Sequence, residues 1–234
     1  MQHIKDIAQS AADKIRSGHT PRTFADAPRH GRQIERRTLS ELDTTNPTVE
    51  AAVKMCHRWA ERKRAGYMDA SLVFCGPVGT GKTHIAKSLL WSMSYTLEDG
   101  TPVGYPGRFF VASDLMMLMN PTRSEIGMME TPRPSSFIGN APMVVIDDLG
   151  TEQSIPFIKA DEQKTEIQAR YFRVIDYCYQ WQTTMVITSN LSIKQLQDYL
   201  GPRNWDRLGQ MAPAGFMIDL AGVPSWRKKE SGRI

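Results

Sequence analysis

Three places in the sequence hold residues whose types and spacing can do chemistry. The first is Gly-Pro-Val-Gly-Thr-Gly-Lys-Thr at positions 76–83, between the apolar run Leu72–Cys75 and a helical pattern. Gly76, Gly81, Lys82 and Thr83 have the spacing of a phosphate-binding loop set between a strand and a helix. The expected binding segment runs from Gly76 through Pro77, Val78, Gly79, Thr80, Gly81, Lys82 and Thr83 to His84. Its glycines let the backbone curl so that N–H groups point at phosphates, and the helix N-terminus adds partial positive charge. Lys82 is expected to reach the β and γ phosphates and the Thr83 hydroxyl to ligate magnesium, which makes ATP and Mg2+ the expected ligands.

Such a loop needs a metal-holding acid at the C-terminal end of a neighbouring strand, where ligands bind in open parallel sheets. The second place supplies it: Met143–Ile146 is apolar and is followed by Asp147 and Asp148, 65 residues after Lys82. Asp147 is expected to hold the metal and Asp148 to polarise the attacking water, with Glu152 as a second candidate base. The third place is Asn190, at the tip of the run Thr183–Asn190. Its amide is suited to bonding a γ phosphate or orienting the water, and equally to capping a strand-to-helix turn.

The elements that must position these residues alternate. From Ser71 onward short apolar strands alternate with helices, the pattern of a parallel sheet covered on both faces. Strands are expected at 71–76, 108–113, 141–150, 183–190 and 215–220, with helices at 81–97, from Asp114, at 162–182 and at 192–201. Ser113 is the expected N-cap of the second of these helices, and Gly201 closes the last. An earlier helix starts with Pro47 at its first position and runs to about Gly66. Residues 1–37 form an appended arm with a short amphipathic helix ending at Gly18, followed by a stretch containing Pro and Arg and no clear period. The methionines at 116, 117, 119, 128 and 129 are read as adaptable packing.

The chain has 234 residues, 41% hydrophobic and 23% charged, enough for one sizeable core plus an appendage. No run approaches the roughly 18–20 apolar residues of a spanning helix, and the N-terminus lacks a secretory h-region. A cytoplasmic protein without membrane contact is expected. Three cysteines, an odd number, fit neither a disulfide framework nor a zinc site and are expected to be reduced. The net charge of +4, with basic clusters at 28–37, 57–66 and 225–233, is mild evidence for a nucleic-acid partner, and solvated faces explain the clusters equally well.

In this order of elements the chain resembles the AAA+ ATPases, and within them the helicase loaders of the DnaC/DnaI type and the IstB transposition ATPases. Four stretches carry the resemblance: Gly76–Leu89, Val144–Gly150, Thr183–Ser192 and Trp205–Leu208. It implies an α/β three-layer P-loop fold with a mostly parallel five-stranded sheet, in a domain at 38–234 without a full C-terminal lid. It further implies that Arg207, with Arg203 the near alternative, acts as an arginine finger in a neighbouring subunit's site. Arg227 would contact nucleotide within its own subunit, the segment around 37–48 would pack on adenine, and Asn190 would take the role called sensor 1. Two departures stand out: Asp176-Tyr177-Cys178-Tyr179 replaces a pattern in which related chains carry an Arg, and Asp148 stands where many AAA+ proteins have Glu.

The function implied is a slow ATPase, stimulated by partner or DNA, that loads a replicative ring helicase. It would assemble as a homo-oligomer with ATP sites at subunit interfaces, favour single-stranded DNA, and dock its partner through the arm. An IstB-like ATPase that binds duplex DNA and recruits a transposase is the alternative. A metabolic kinase and a non-hydrolysing switch are the readings from other classes.

Overall fold

The computed structural model describes residues 38–65, 71–94, 96–98, 101–103, 107–120, 122–123, 129–152 and 159–226. The arm at 1–37, with its expected helix, lies outside them. Five strands make one sheet: β1 (Leu72–Cys75), β2 (Gly107–Val111), β3 (Met143–Leu149), β4 (Thr184–Ser189) and β5 (Met217–Asp219). Their order is β2-β3-β4-β1-β5, and every pairing is parallel.

The near-continuous apolar runs follow from burial on both faces. Side chains alternate across the sheet: Val73, Val144, Ile146, Met185 and Ile187 enter one core, while Leu72, Phe74, Met143, Val145 and Val186 enter the other. Helix α1 (Pro47–Arg64) and α2 (Lys82–Ser94) cover the second core, together with a 3-10 turn at Leu39–Glu41. The first core is covered by α3 (Ala112–Leu118), the short α4 (Pro134–Phe137), α5 (Gln163–Gln180) and α6 (Ile193–Met211). The result is the expected three-layer sandwich.

Local chemistry explains the element ends. Asn46 caps α1, its side chain accepting from the N–H groups of Thr48 and Val49, with Pro47 at the first helical position. Ser192 and Gln195 form a capping box at the start of α6. Ser113 does not cap α3. That helix begins at Ala112, the cap position falls on Val111, and no side chain bonds there, because β2 runs straight into the helix. Helix α2 stops at Ser94, short of the expected 97, and Thr96–Glu98 instead pairs antiparallel with Thr101–Val103. Gly201 closes the first helical segment of α6, as expected. Its backbone, at φ 77° and ψ 165°, precedes Pro202, and a second helical segment continues to Met211.

Of the methionines expected to pack, Met116 and Met119 are buried while Met117 stays exposed. Cys56, Cys75 and Cys178 are all free and buried. Burial pushes the thiols of Cys56 and Cys178 up to about 12 and that of Cys75 up to about 11.

Candidate functional site

The site lies where β1, β3 and β4 end side by side. After Cys75 the chain turns through Gly76 (φ 132°), Gly79 (φ 84°) and Gly81 (φ 93°), backbone that L side chains rarely adopt. Close approach demands glycine as well. A Cβ on Gly76 would lie 2.9 Å from the Leu220 carbonyl carbon, and one on Gly79 would lie 2.1 Å from Ser225 Oγ. The segment after β5 is thus seated on the loop, with the Trp226 N–H donating to the Gly79 carbonyl at 2.9 Å. Arg227, the expected nucleotide contact next in sequence, lies outside the described residues.

Lys82 is buried, and its Nζ donates to the carbonyls of Gly76 and Pro77, both at 2.7 Å. Its ammonium is therefore held inside the curl of the loop. Pro77, Val78 and His84 are exposed, and Thr80 is buried, its hydroxyl donating to the Pro77 carbonyl at 3.0 Å.

Across from the loop, Asp147 at the end of β3 accepts from the Thr83 hydroxyl at 2.8 Å and from the Thr188 hydroxyl at 2.6 Å. A hydroxyl and a carboxylate oxygen in contact at the mouth of a phosphate loop form a hard-oxygen pair suited to Mg2+, which is commonly held by one or two carboxylates plus substrate phosphates. The residues present fit that ion. Lys87, one turn after Thr83 on α2, sits with its Nζ 4.6 Å from the centre of the Phe109 ring. Burial pulls its ammonium below the ordinary lysine value, against the opposing attraction of Asp147.

In a regular strand Asp147 and Asp148 would face opposite sides of the sheet. The pairing of β3 with β4 shifts between Ile146 and Leu149, where three steps along β3 match two along β4. The extra residue is accommodated by Asp148 in left-handed backbone (φ 62°), a region that Asp tolerates better than most residues. Its N–H donates to Thr188 Oγ1 at 2.9 Å, and the Asn190 amide donates to its Oδ1. The structure therefore brings Thr83, Asp147, Asp148 and Asn190 into one hydrogen-bonded constellation, and Asn190 does not merely cap a turn.

Other sequence candidates lie elsewhere. Arg207, on the second segment of α6, pairs with Asp176 Oδ1 at 3.1 Å and lies 4.4 Å from the Tyr179 ring centre, both on α5. Arg203 stacks 3.6 Å from the Phe172 ring centre. Glu152 is bonded to α5 and α6: Tyr171 and Tyr199 donate their hydroxyls to its carboxylate. In the segment resembling an adenine platform, Leu39 is buried, and its N–H donates to Ser92 on α2 at 3.0 Å.

Sequence reasoning missed Thr188, which bonds both acids, and Ser225–Trp226 at the loop. The signal for Thr188 was a hydroxyl directly after the apolar run Met185–Ile187, in a strand buried along its whole length. Ser225 and Trp226 stand in the Gly-Val-Pro-Ser-Trp-Arg stretch that gave the Arg227 expectation, but their own contact with the loop was not legible, because only the return of β5 beside β1 seats them.

A family model described as "IstB-like ATP binding protein" matches residues 31–206. Among solved structures the chain is similar to the DnaC helicase loader, with TM-score 0.57 and 23% identity over 78% of this chain and 95% of that one. DnaI gives TM-score 0.55 and 17% identity over 81% and 90%. The replication initiator DnaA bound to AMPPCP and single-stranded DNA gives TM-score 0.50 and 16% identity, over 79% of this chain and 50% of that one. These likenesses concern the fold. No curated protein matches the sequence. With the family model spanning most of the chain, the chain belongs to the IstB-like ATP-binding protein family.

Proposed function

We propose that the chain is an ATP-dependent helicase loader: the constellation of Thr83, Asp147, Asp148 and Asn190 at the mouth of the phosphate loop supports ATP use, and the likeness to the DnaC and DnaI structures supports loading. The loop N–H groups and Lys82 bind the phosphates, with Lys82 exchanging its bonds to the Gly76 and Pro77 carbonyls for phosphate oxygens. Thr83 and Asp147 would hold Mg2+, whose charge would offset the negative charge that develops in phosphoryl transfer. Asp148 accepts the proton of the attacking water, and Asn190 holds the Asp148 carboxylate in place. An Asp base is shorter than Glu, so turnover is slow and rises with a partner or DNA.

Arg207 serves a neighbouring copy. Its contacts run to Asp176 and Tyr179 rather than to its own loop, which supports action in trans and a homo-oligomer with ATP at the interfaces. The domain at 38–234 would bind single-stranded DNA while the arm at 1–37 docks a replicative ring helicase, a role that likeness to loaders supports.

The IstB-like family match favours a second reading, recruitment of a transposase to duplex DNA. Affinity capture with ATP against a replicative helicase and a transposase, each offered alone, tests both. ATP-dependent retention of the helicase is the expected result, and retention of the transposase alone overturns the loader reading.

A further inference from the structure

Glu152 carries a carboxylate that the reaction does not use directly, yet two helices and the turn after β3 meet at it. Its Oε1 accepts from the Tyr171 hydroxyl on α5. Its Oε2 accepts from the Tyr199 hydroxyl on the first segment of α6 at 2.5 Å, and from the Gly150 N–H at 2.8 Å. Tyr171 is fully buried, and the two phenol rings meet edge to face with centres 6.4 Å apart. With three donors on two oxygens, this carboxylate is committed to protein contacts and is unsuited to activating water.

Glu152 lies four residues beyond Asp148, and the turn between them is closely tied. The Thr151 hydroxyl and N–H both donate to the Asp148 carbonyl, at 2.7 and 3.3 Å, and Gly150 adopts φ 98°. Asp148 itself stands in left-handed backbone that a side chain adopts only when its surroundings enforce it. One flank is enforced by Thr188 on β4 and by Asn190 just beyond its end. The other flank is the Gly150–Glu152 turn, and Glu152 fastens that turn to two helices.

We infer that Glu152, Tyr171 and Tyr199 form a clamp of positioning residues that holds Asp148 in the geometry needed to accept the proton of the attacking water. The inference rests on the proposed role of Asp148. The clamp acts through that residue alone and touches neither phosphate nor metal.

The test uses the full chain in single-turnover hydrolysis of labelled ATP, with ATP affinity measured separately. Tyr199→Phe removes one donor and keeps the ring; Tyr171→Phe does the same at the buried position. Each is expected to lower the hydrolysis rate about tenfold while leaving ATP affinity within about twofold, since misplacing a catalytic group costs rate rather than ground-state binding. In an Asp148→Ala background neither change should lower the rate further, because the group being positioned is gone. A wild-type rate in Tyr199→Phe overturns the clamp while leaving the Asp148 reading intact. A further drop in the Asp148→Ala background also overturns it, since the tyrosines would then act elsewhere. A wild-type rate in Asp148→Ala itself overturns the reading of Asp148 and the clamp with it.

Discussion

At the scale of single residues, Lys82 and Arg207 make opposite predictions although both are cations assigned to the ATP reaction. Lys82 sits inside the loop, and under the proposed function it would contribute to binding whatever the reaction stage. Lys82→Ala is expected to weaken ATP affinity roughly a hundredfold, about 2.7 kcal/mol, as read by titration calorimetry. Arg207 lies away from its own loop, held by Asp176 and Tyr179. Arg207→Ala should leave ATP affinity unchanged and cut steady-state ATPase about a thousandfold, the range seen when an arginine finger is lost. Mixing it with Lys82→Ala should restore activity, because each variant supplies the half-site the other lacks. Thr188 is the third case: Thr188→Val leaves the Asp148 N–H without its acceptor and removes one of the two hydroxyls that donate to Asp147, leaving only Thr83. A destabilisation of about 1–3 kcal/mol in urea denaturation is expected, with a raised Mg2+ requirement for hydrolysis.

At the scale of elements, the break in α6 matters most. Gly201 adopts a conformation open essentially only to glycine, and a Cβ there would lie 2.8 Å from the Gln168 side chain. The break is held from α5: Gln168 donates to the Tyr199 carbonyl at 3.0 Å, and Asn204 donates to the carbonyls of Gln168 and Leu200, both at 2.9 Å. Gly201→Ala is expected to cost about 1–3 kcal/mol in chemical denaturation. Because Arg207 lies beyond the break, that variant should also lower ATPase while preserving ATP affinity. The sequence announced a glycine ending a helix at this place. Continuation past it was illegible, because a Gly-Pro pair stops a helix locally unless a neighbouring helix supplies the missing bonds.

At the scale of the whole molecule, burial of weak acids sets the alkaline limit of stability. Burial raises the thiols of Cys56, Cys75 and Cys178 above 9.0. Burial and then the Glu152 charge also raise the phenols of Tyr171 and Tyr199 above 10.0. Each group binds its proton more tightly folded than unfolded, so its contribution is complete below the unfolded value and is lost as pH rises toward the folded one. The urea midpoint is therefore expected to fall from about pH 9 upward, and Cys56→Ala should make that fall shallower.

The sequence alone determined the phosphate loop, the acid pair, the strand-tip asparagine and the three-layer α/β architecture. Those depend on local spacing and on the apolar runs of strands buried on both faces. Only the tertiary structure decided that a bulge turns Asp148 toward Asn190, that Thr188 joins the two acids, and that Ser225–Trp226 rests on the loop. It also decided that Glu152 belongs to two tyrosines. Each of these contacts joins residues far apart in the chain, brought together by sheet register and helix packing that no local pattern encodes.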